Sequence, residues 1–189
     1  SQTLNAFLVK LPNHGVIKQS GSEVTGQLNN RQTDASPSSF WNIDYVPDAN
    51  YNGQDTFSFY LQDVLGAKSG TFLVTITINP VNDPPTGSSF AVTLNEDTTY
   101  TITSFSGTDV DGDVLSLTIV SLPGKGTLQN KAGDNTNVVA GTPIAAGNWN
   151  LRFTPAADEN GSPYTTLTFR LNDAVSSSPD YTATFNVLP

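Results

Sequence analysis

The sequence predicts an all-β protein: two tandem Greek-key β-sandwich domains, the first lacking its N-terminal strands. Three observations predict it. Apolar residues alternate with polar ones at period two over short runs broken by Gly, Pro, Asn and Asp. Thr, Ser, Asn and Gly are plentiful beside Val, Ile, Phe and Tyr, which is a strand composition rather than a helical one. And the two halves of the chain repeat each other in order.

The repeat is read in four matches. Leu4 to Gly15, with Leu11-Pro-Asn-His-Gly15, echoes Leu115 to Gly126, with Leu122-Pro-Gly-Lys-Gly126. Trp41-Asn-Ile-Asp-Tyr-Val-Pro47 echoes Trp149-Asn-Leu-Arg-Phe-Thr-Pro155, and Asn52-Gly53 echoes Asn160-Gly161. Phe57 to Asp63 echoes Leu167 to Asp173. The boundary falls in the proline-rich stretch Pro80 to Pro85, where prolines stop strand pairing and stiffen the link, giving domains 1–81 and 82–189.

In the second domain the strands are expected near Phe90–Leu94 (A), Thr99–Phe105 (B), Leu115–Leu122 (C), within Thr127–Ile144 (D), near Asn148–Phe153 (E), Thr165–Leu171 (F) and Asp180–Val187 (G). About seven short antiparallel strands describe an immunoglobulin-like sandwich. Leu167, Phe169 and Leu171 should face inward, as should Tyr181, Ala183, Phe185 and Val187. In the first domain the inward sets are Phe57, Phe59, Leu61 and Phe72, Val74, Ile76, Ile78. That domain starts at the equivalent of strand C, about 30 residues short by the repeat offset, so its open edge should be covered by a second copy or a rearranged N-terminus.

Composition removes several functions. The 189-residue chain has net charge -9 with 13% charged residues, which does not suit nucleic acid or anionic membranes. No run of about 18 apolar residues can span a bilayer. Without Cys there are no disulfides and no thiolate metal sites. Met is absent, including at position 1, and the chain is expected to be a piece of a longer one. One His, in the turn Pro12-Asn-His-Gly15, and no Cys leave nucleophilic catalysis without its parts, so no enzyme activity is expected.

The acidic residues point elsewhere. Six of the 17 lie between Asp83 and Asp113, and no Lys or Arg occurs between Lys68 and Lys125. Carboxylates crowded without a positive partner repel one another, and a hard divalent cation is the simplest neutraliser. By strand count, the loop Asp109-Val-Asp-Gly-Asp113 and the loop starting at Asp173 share the pole that meets Asn82-Asp83. The loop Asp48 to Asp55 of the first domain points to the same junction. Calcium takes six to eight oxygens in flexible geometry and suits this set; magnesium prefers more water, and zinc wants His or Cys. An EF-hand is excluded because the twelfth position from Asp109 is Val120, within a strand. Glu96, Asp97 and Asp158, with Glu159, form the expected second half-site at the far pole.

These phrases carry a resemblance over nearly the whole chain. Asn79-Pro-Val-Asn-Asp-Pro-Pro85, the block from Glu96-Asp97 to Asp113, and Tyr45 to Phe57 resemble tandem cadherin-like repeats of bacterial surface and adhesin proteins. The resemblance implies interdomain calcium held by Asn82, Asp83, Asp109, Asp111 and Asp173, with Asp113 alongside and Asp55 mapping onto the acidic group before strand F. Pro80 replaces the first linker Asp, so one or two ions are expected. It implies an extracellular or cell-surface, secreted bacterial setting and a calcium-rigidified, non-catalytic adhesin repeat. Its partners are then neighbouring repeats of the same long chain. The alternatives are a polysaccharide-binding module, with a glycan on solvent-facing Tyr51, Tyr164 or Trp149, and a homodimer through the first domain's open edge. Trp41 and Trp149 are otherwise read as packing residues.

Overall fold

The computed structural model describes residues 4–28, 41–131 and 135–189. The chain divides into two compact units, Ser1–Val81 and Asn82–Pro189. Among the described residues every regular element is a strand, and no helix is long and apolar enough to cross a membrane.

Unit one contains β1 (Leu4–Lys10), β2 (Gly15–Gln19), β3 (Ser22–Glu23), β4 (Gln27–Leu28), β5 (Asp44–Pro47), β6 (Gly53–Asp63) and β7 (Phe72–Ile78). They form two antiparallel sheets, ordered β4-β1-β6-β7 and β3-β2-β5. Among the described residues its buried apolar core comprises Ala6, Ile17, Leu28 and Phe57, with Phe59, Leu61, Val74 and Ile76 half-buried against them. Phe72 departs from the expected inward set, being 48% exposed. Its ring lies against Phe59, with centroids 5.4 Å apart. The reason is positional: among the described residues β7 is an edge strand with β6 as its one neighbour.

Unit two contains β8 (Thr86–Gly87), β9 (Phe90–Asn95), β10 (Tyr100–Ile102), β11 (Gly107–Thr108), β12 (Ser116–Ser121), β13 (Thr127–Asn130), β14 (Pro143–Ile144), β15 (Leu151–Thr154), β16 (Gly161–Asn172) and β17 (Tyr181–Leu188). One sheet runs β14-β12-β16-β17-β9, a second β10-β15-β13, and β8 pairs with β11. Period-two alternation sends Leu167, Phe169, Leu171, Ala183 and Phe185 inward with no exposure, and Ile102, Leu151 and Phe153 do the same from the facing sheet. Phe153 stacks on Phe185 at 4.1 Å, joining the two sheets. Phe105 and Phe169 meet edge to face at 4.9 Å. This is an all-β, immunoglobulin-like fold.

Some expected elements are placed differently. Strand A, read as antiparallel, lies parallel to β17, from Phe90 opposite Ala183 to Asn95 opposite Leu188. Strand B stops at Ile102, because the chain then turns to bring Gly107 opposite Gly87. Phe105 stays in the core without being in a strand. Residues 132–134 of the expected D region lie outside the described residues, and the flanking strands are β13 and β14. Trp149 precedes β15 and packs against the core, its Nε1 donating to the Ile144 carbonyl at 3.3 Å.

The β8–β11 pair positions the acidic loop. Glycine is required at 107: a Cβ there would lie 2.0 Å from Leu171 Cδ1 and 2.7 Å from the Thr86 carbonyl oxygen. That close approach, with Pro85 fully buried, lays the segment after Asn82-Asp83 directly beside the chain that leads into Asp109.

Candidate metal centre

The loop after β11 carries Asp109, Asp111 and Asp113. Asp109 Oδ1 accepts the backbone N–H of Asp111 at 2.8 Å and of Asp113 at 3.5 Å. Gly112, at φ +79°, lets the loop close, its N–H donating to the Asp109 carbonyl. The result turns three carboxylates toward one point: one oxygen from each of Asp109, Asp111 and Asp113 lies within 4.8 Å of the others. Asp109 Oδ2 is shut off from solvent and has no hydrogen-bond partner among the described residues. A buried carboxylate oxygen without a donor carries an uncompensated desolvation cost.

Asp83 meets this loop, and Asn82 meets the loop after β16. The Asp83 N–H donates to Asp111 Oδ2 at 2.8 Å. Asn82 Nδ2 donates to Asp173 Oδ2 at 3.2 Å and to Ser176 Oγ at 3.1 Å. Asp173 is nearly buried, 9% exposed. It accepts from the N–H groups of Val175 and Ser176 and from Ser176 Oγ at 2.7 Å. The Ser176 N–H is the largest contributor holding the Asp173 carboxyl down to about 2. Asn82, Asp83, Asp109, Asp111 and Asp173 are thus joined by hydrogen bonds, with Asp113 beside Asp109. The Asp83 and Asp173 carboxylates are not part of the three-oxygen group.

Asp55 belongs to unit one and is 2% exposed. Its oxygens accept the N–H groups of Asn13 (2.9 Å), His14 (2.8 Å) and Thr56 (2.8 Å) and the Tyr45 hydroxyl (2.9 Å). Burial alone would push its pKa up; these donors outweigh it and hold the carboxyl at about 2. Burial, followed by the bond to Asp55, pushes the Tyr45 phenol up to about 12. Asp55 therefore clamps the Asn13-His14 turn. In unit two Thr165 Oγ1 accepts the N–H of Gly124, the repeat equivalent of Asn13.

At the far end of unit two, Asp97 Oδ1 accepts the Asp158 N–H at 3.2 Å and Glu96 Oε2 accepts Asn160 Nδ2 at 3.1 Å. Asp97 and Asp158 both sit at φ +59°. Glu159 does not join them: it pairs with Lys125 Nζ at 3.0 Å and accepts the Tyr164 hydroxyl. Sequence reasoning missed Ser176 and Asn160 as partners of these acids. Asp173-x-x-Ser176 is an Asx-turn pattern that could have revealed the first.

The three-residue group offers carboxylate oxygens, which suit a hard cation such as calcium and not zinc. The orphaned Asp109 Oδ2 is the feature such an ion would satisfy.

A family model described as bacterial Ig domain matches residues 82–187. Integrin beta-like protein B of Dictyostelium discoideum is 24% identical over 204 residues, covering 98% of this chain and 10% of that protein. Integrin beta-like protein E of the same organism is 24% identical over 132 residues, 65% of this chain and 6% of that protein. The chain therefore spans a tenth or less of these relatives. The extracellular cadherin domains 1–5 of protocadherin gamma B2 share the fold, with TM-score 0.52 and 13% identity over 98% of this chain and 33% of that one. Human mucin-like protocadherin EC1-2 aligns with TM-score 0.49 and 18% identity over 98% and 84%.

Proposed function

From the premise that the chain belongs to the bacterial Ig domain family, we propose that it is a non-catalytic adhesion repeat of an extracellular or cell-surface protein whose segment Asn82–Pro85 is locked by calcium. The observation that carries this is Asp109 Oδ2, buried and unpartnered within a group of three carboxylates. Asp109, Asp111 and Asp113 would hold the ion, with Asp83, Asn82 and Asp173 closing round it. The ion supplies positive charge that relieves the repulsion among the acids. Asp55, saturated by its own donors, serves as a structural clamp. Ordering residues 82–85 is how calcium would stiffen a row of such repeats, which are each other's partners. Glu96, Asp97 and Asp158 form the corresponding half-site for a following repeat.

Calorimetric titration with calcium in chelator-treated buffer tests the reading. Binding that disappears in Asp109→Ala supports it; no heat and no change in melting temperature at millimolar calcium overturns it.

A homodimer is favoured by one separate observation. The outer edge of β7 is unpaired among the described residues, with Leu73 67% exposed, whereas β17, which follows β16 as β7 follows β6, is covered by β9. Exposed strand edges template pairing with another chain. Sedimentation should show concentration-dependent dimers that Leu73→Lys abolishes; a monomer at every concentration removes this reading.

A further inference from the structure

Unit two holds eleven acidic residues and four basic ones, so carboxylates outnumber the cations they could pair with. Lys125 pairs with Glu159 at 3.0 Å and Arg170 with Asp180 at 2.8 Å. Lys131 and Arg152 have no carboxylate partner among the described residues; Asp134 lies outside them. Both basic side chains work on the same face. Thr101, Arg152 and Gln129 are register neighbours across β10, β15 and β13. Alternation places them on the side opposite the buried Ile102, Leu151, Phe153 and Leu128. Arg152 Nη2 donates to Gln129 Oε1, and Lys131 Nζ donates to Thr101 Oγ1 at 3.1 Å. Two like charges therefore share a sheet face, and among the described residues each is hydrogen-bonded only to a neutral oxygen, an arrangement that favours an anion. A guanidinium has five N–H donors to offer, and Arg152 Nε, shut off from solvent, has no acceptor among the described residues.

The same hydrogen-bond chain continues to a concave surface. Gln129 Nε2 donates to Asn137 Oδ1 at 3.2 Å. Asn137, with Asn130, Thr142 and Asn148, lines an open cleft of about 320 Å³ between the edges of β13 and β14. Uncharged amides and hydroxyls in a cleft match sugar hydroxyls. Among the described residues that line it, the cleft has no aromatic or Arg anchor of the kind that dominates peptide recognition. Net charge -9 repels densely anionic polymers at range, so a single carboxylate is favoured over many.

We propose that the outer face of β10–β15–β13 and its adjoining cleft bind a glycan carrying a carboxylate, a uronate-type sugar. Its acid group lies between Lys131 and Arg152, and its hydroxyls meet Gln129, Asn137 and the cleft amides. This site is separate from the acidic loop and does not need calcium.

The test is an NMR titration of the whole ¹⁵N-labelled chain, with chelator present, using a glucuronate-containing disaccharide, the neutral disaccharide with glucose in its place, and sodium acetate. The expected result is saturable shifts at the amides of Gln129, Asn137 and Arg152. Binding should weaken at least about tenfold for the neutral sugar and in Arg152→Gln, as loss of a charge-assisted hydrogen bond requires. Lys131→Gln, at an exposed position, should weaken it as well and serves if Arg152→Gln does not fold. Equal binding of the neutral sugar, acetate binding as tightly as the disaccharide, shifts confined to other surfaces, or no shifts with any probe would each overturn the proposal.

Discussion

The backbone N–H of Asp83 donates to Asp111 Oδ2 at 2.8 Å, while its neighbour Asn82 reaches Asp173 Oδ2 at 3.2 Å. Two consecutive residues thus tie the start of unit two to two loops far apart in sequence. Asp111→Ala removes the acceptor for Asp83 and should speed hydrogen exchange at the Asp83 amide, even without calcium, while the Asn82–Asp173 contact remains. Unchanged exchange would show that the contact contributes no protection.

Asp109 should behave in opposite ways with and without metal. Its Oδ2 is buried among like charges and has no donor among the described residues. Asp109→Asn keeps the Oδ1 that accepts from Asp111 and Asp113 and removes one charge from the group. The apo melting temperature should therefore hold or rise. The calcium-induced gain, about 2.7 kcal/mol when calcium is a hundredfold above Kd, should vanish. Paired thermal melts with calcium and with chelator read both.

Gly107→Ala acts on the same centre through packing. The added Cβ meets Leu171 Cδ1 and the Thr86 carbonyl oxygen, so the β8–β11 pair must part. A loss of about 1–3 kcal/mol is expected from overpacking, together with weaker calcium binding because Asn82-Asp83 lose their footing. Denaturant melts and calorimetry check the two effects.

Asp55 sets an acid limit on unit one. Its folded carboxyl lies at about 2 against an ordinary 3.8. A depressed carboxyl contributes stability in full above pH 4, and that contribution is lost as pH falls from about 4 through about 2. Asp55→Asn should flatten this dependence. Trp41 packs against the unit-one core, so its fluorescence in a Trp149→Phe background reports the transition.

Core truncation should separate the two units. Phe169 is fully buried and touches Phe90, Phe105 and Tyr181; Phe169→Ala should cost about 3–5 kcal/mol. Phe59 is only half-buried, and Phe59→Ala should cost clearly less. Urea melts of the whole chain compare them.

The all-β fold and the faces of β16 and β17 were legible because strand alternation is local: Leu167, Phe169 and Leu171, then Ala183, Phe185 and Val187, follow a period that any half-buried strand obeys. The acidic loop was legible because a surplus of charge without counter-charge is a property of the chain itself. The partners of those acids were not. That Asp173 is held by Ser176 and Asn82, that Glu159 turns to Lys125, and that Asp55 closes a turn depend on hydrogen-bond directions that exist only once loops are placed. The same holds for β9, whose parallel seat on β17 no periodicity distinguishes from an antiparallel one, and for Phe72, whose exposure is set by the lack of a second strand beside β7 among the described residues. Sequence by itself decided which residues are apolar, acidic or bent; only tertiary structure decided which of them meet, because burial and orphaned charge belong to neighbours in space.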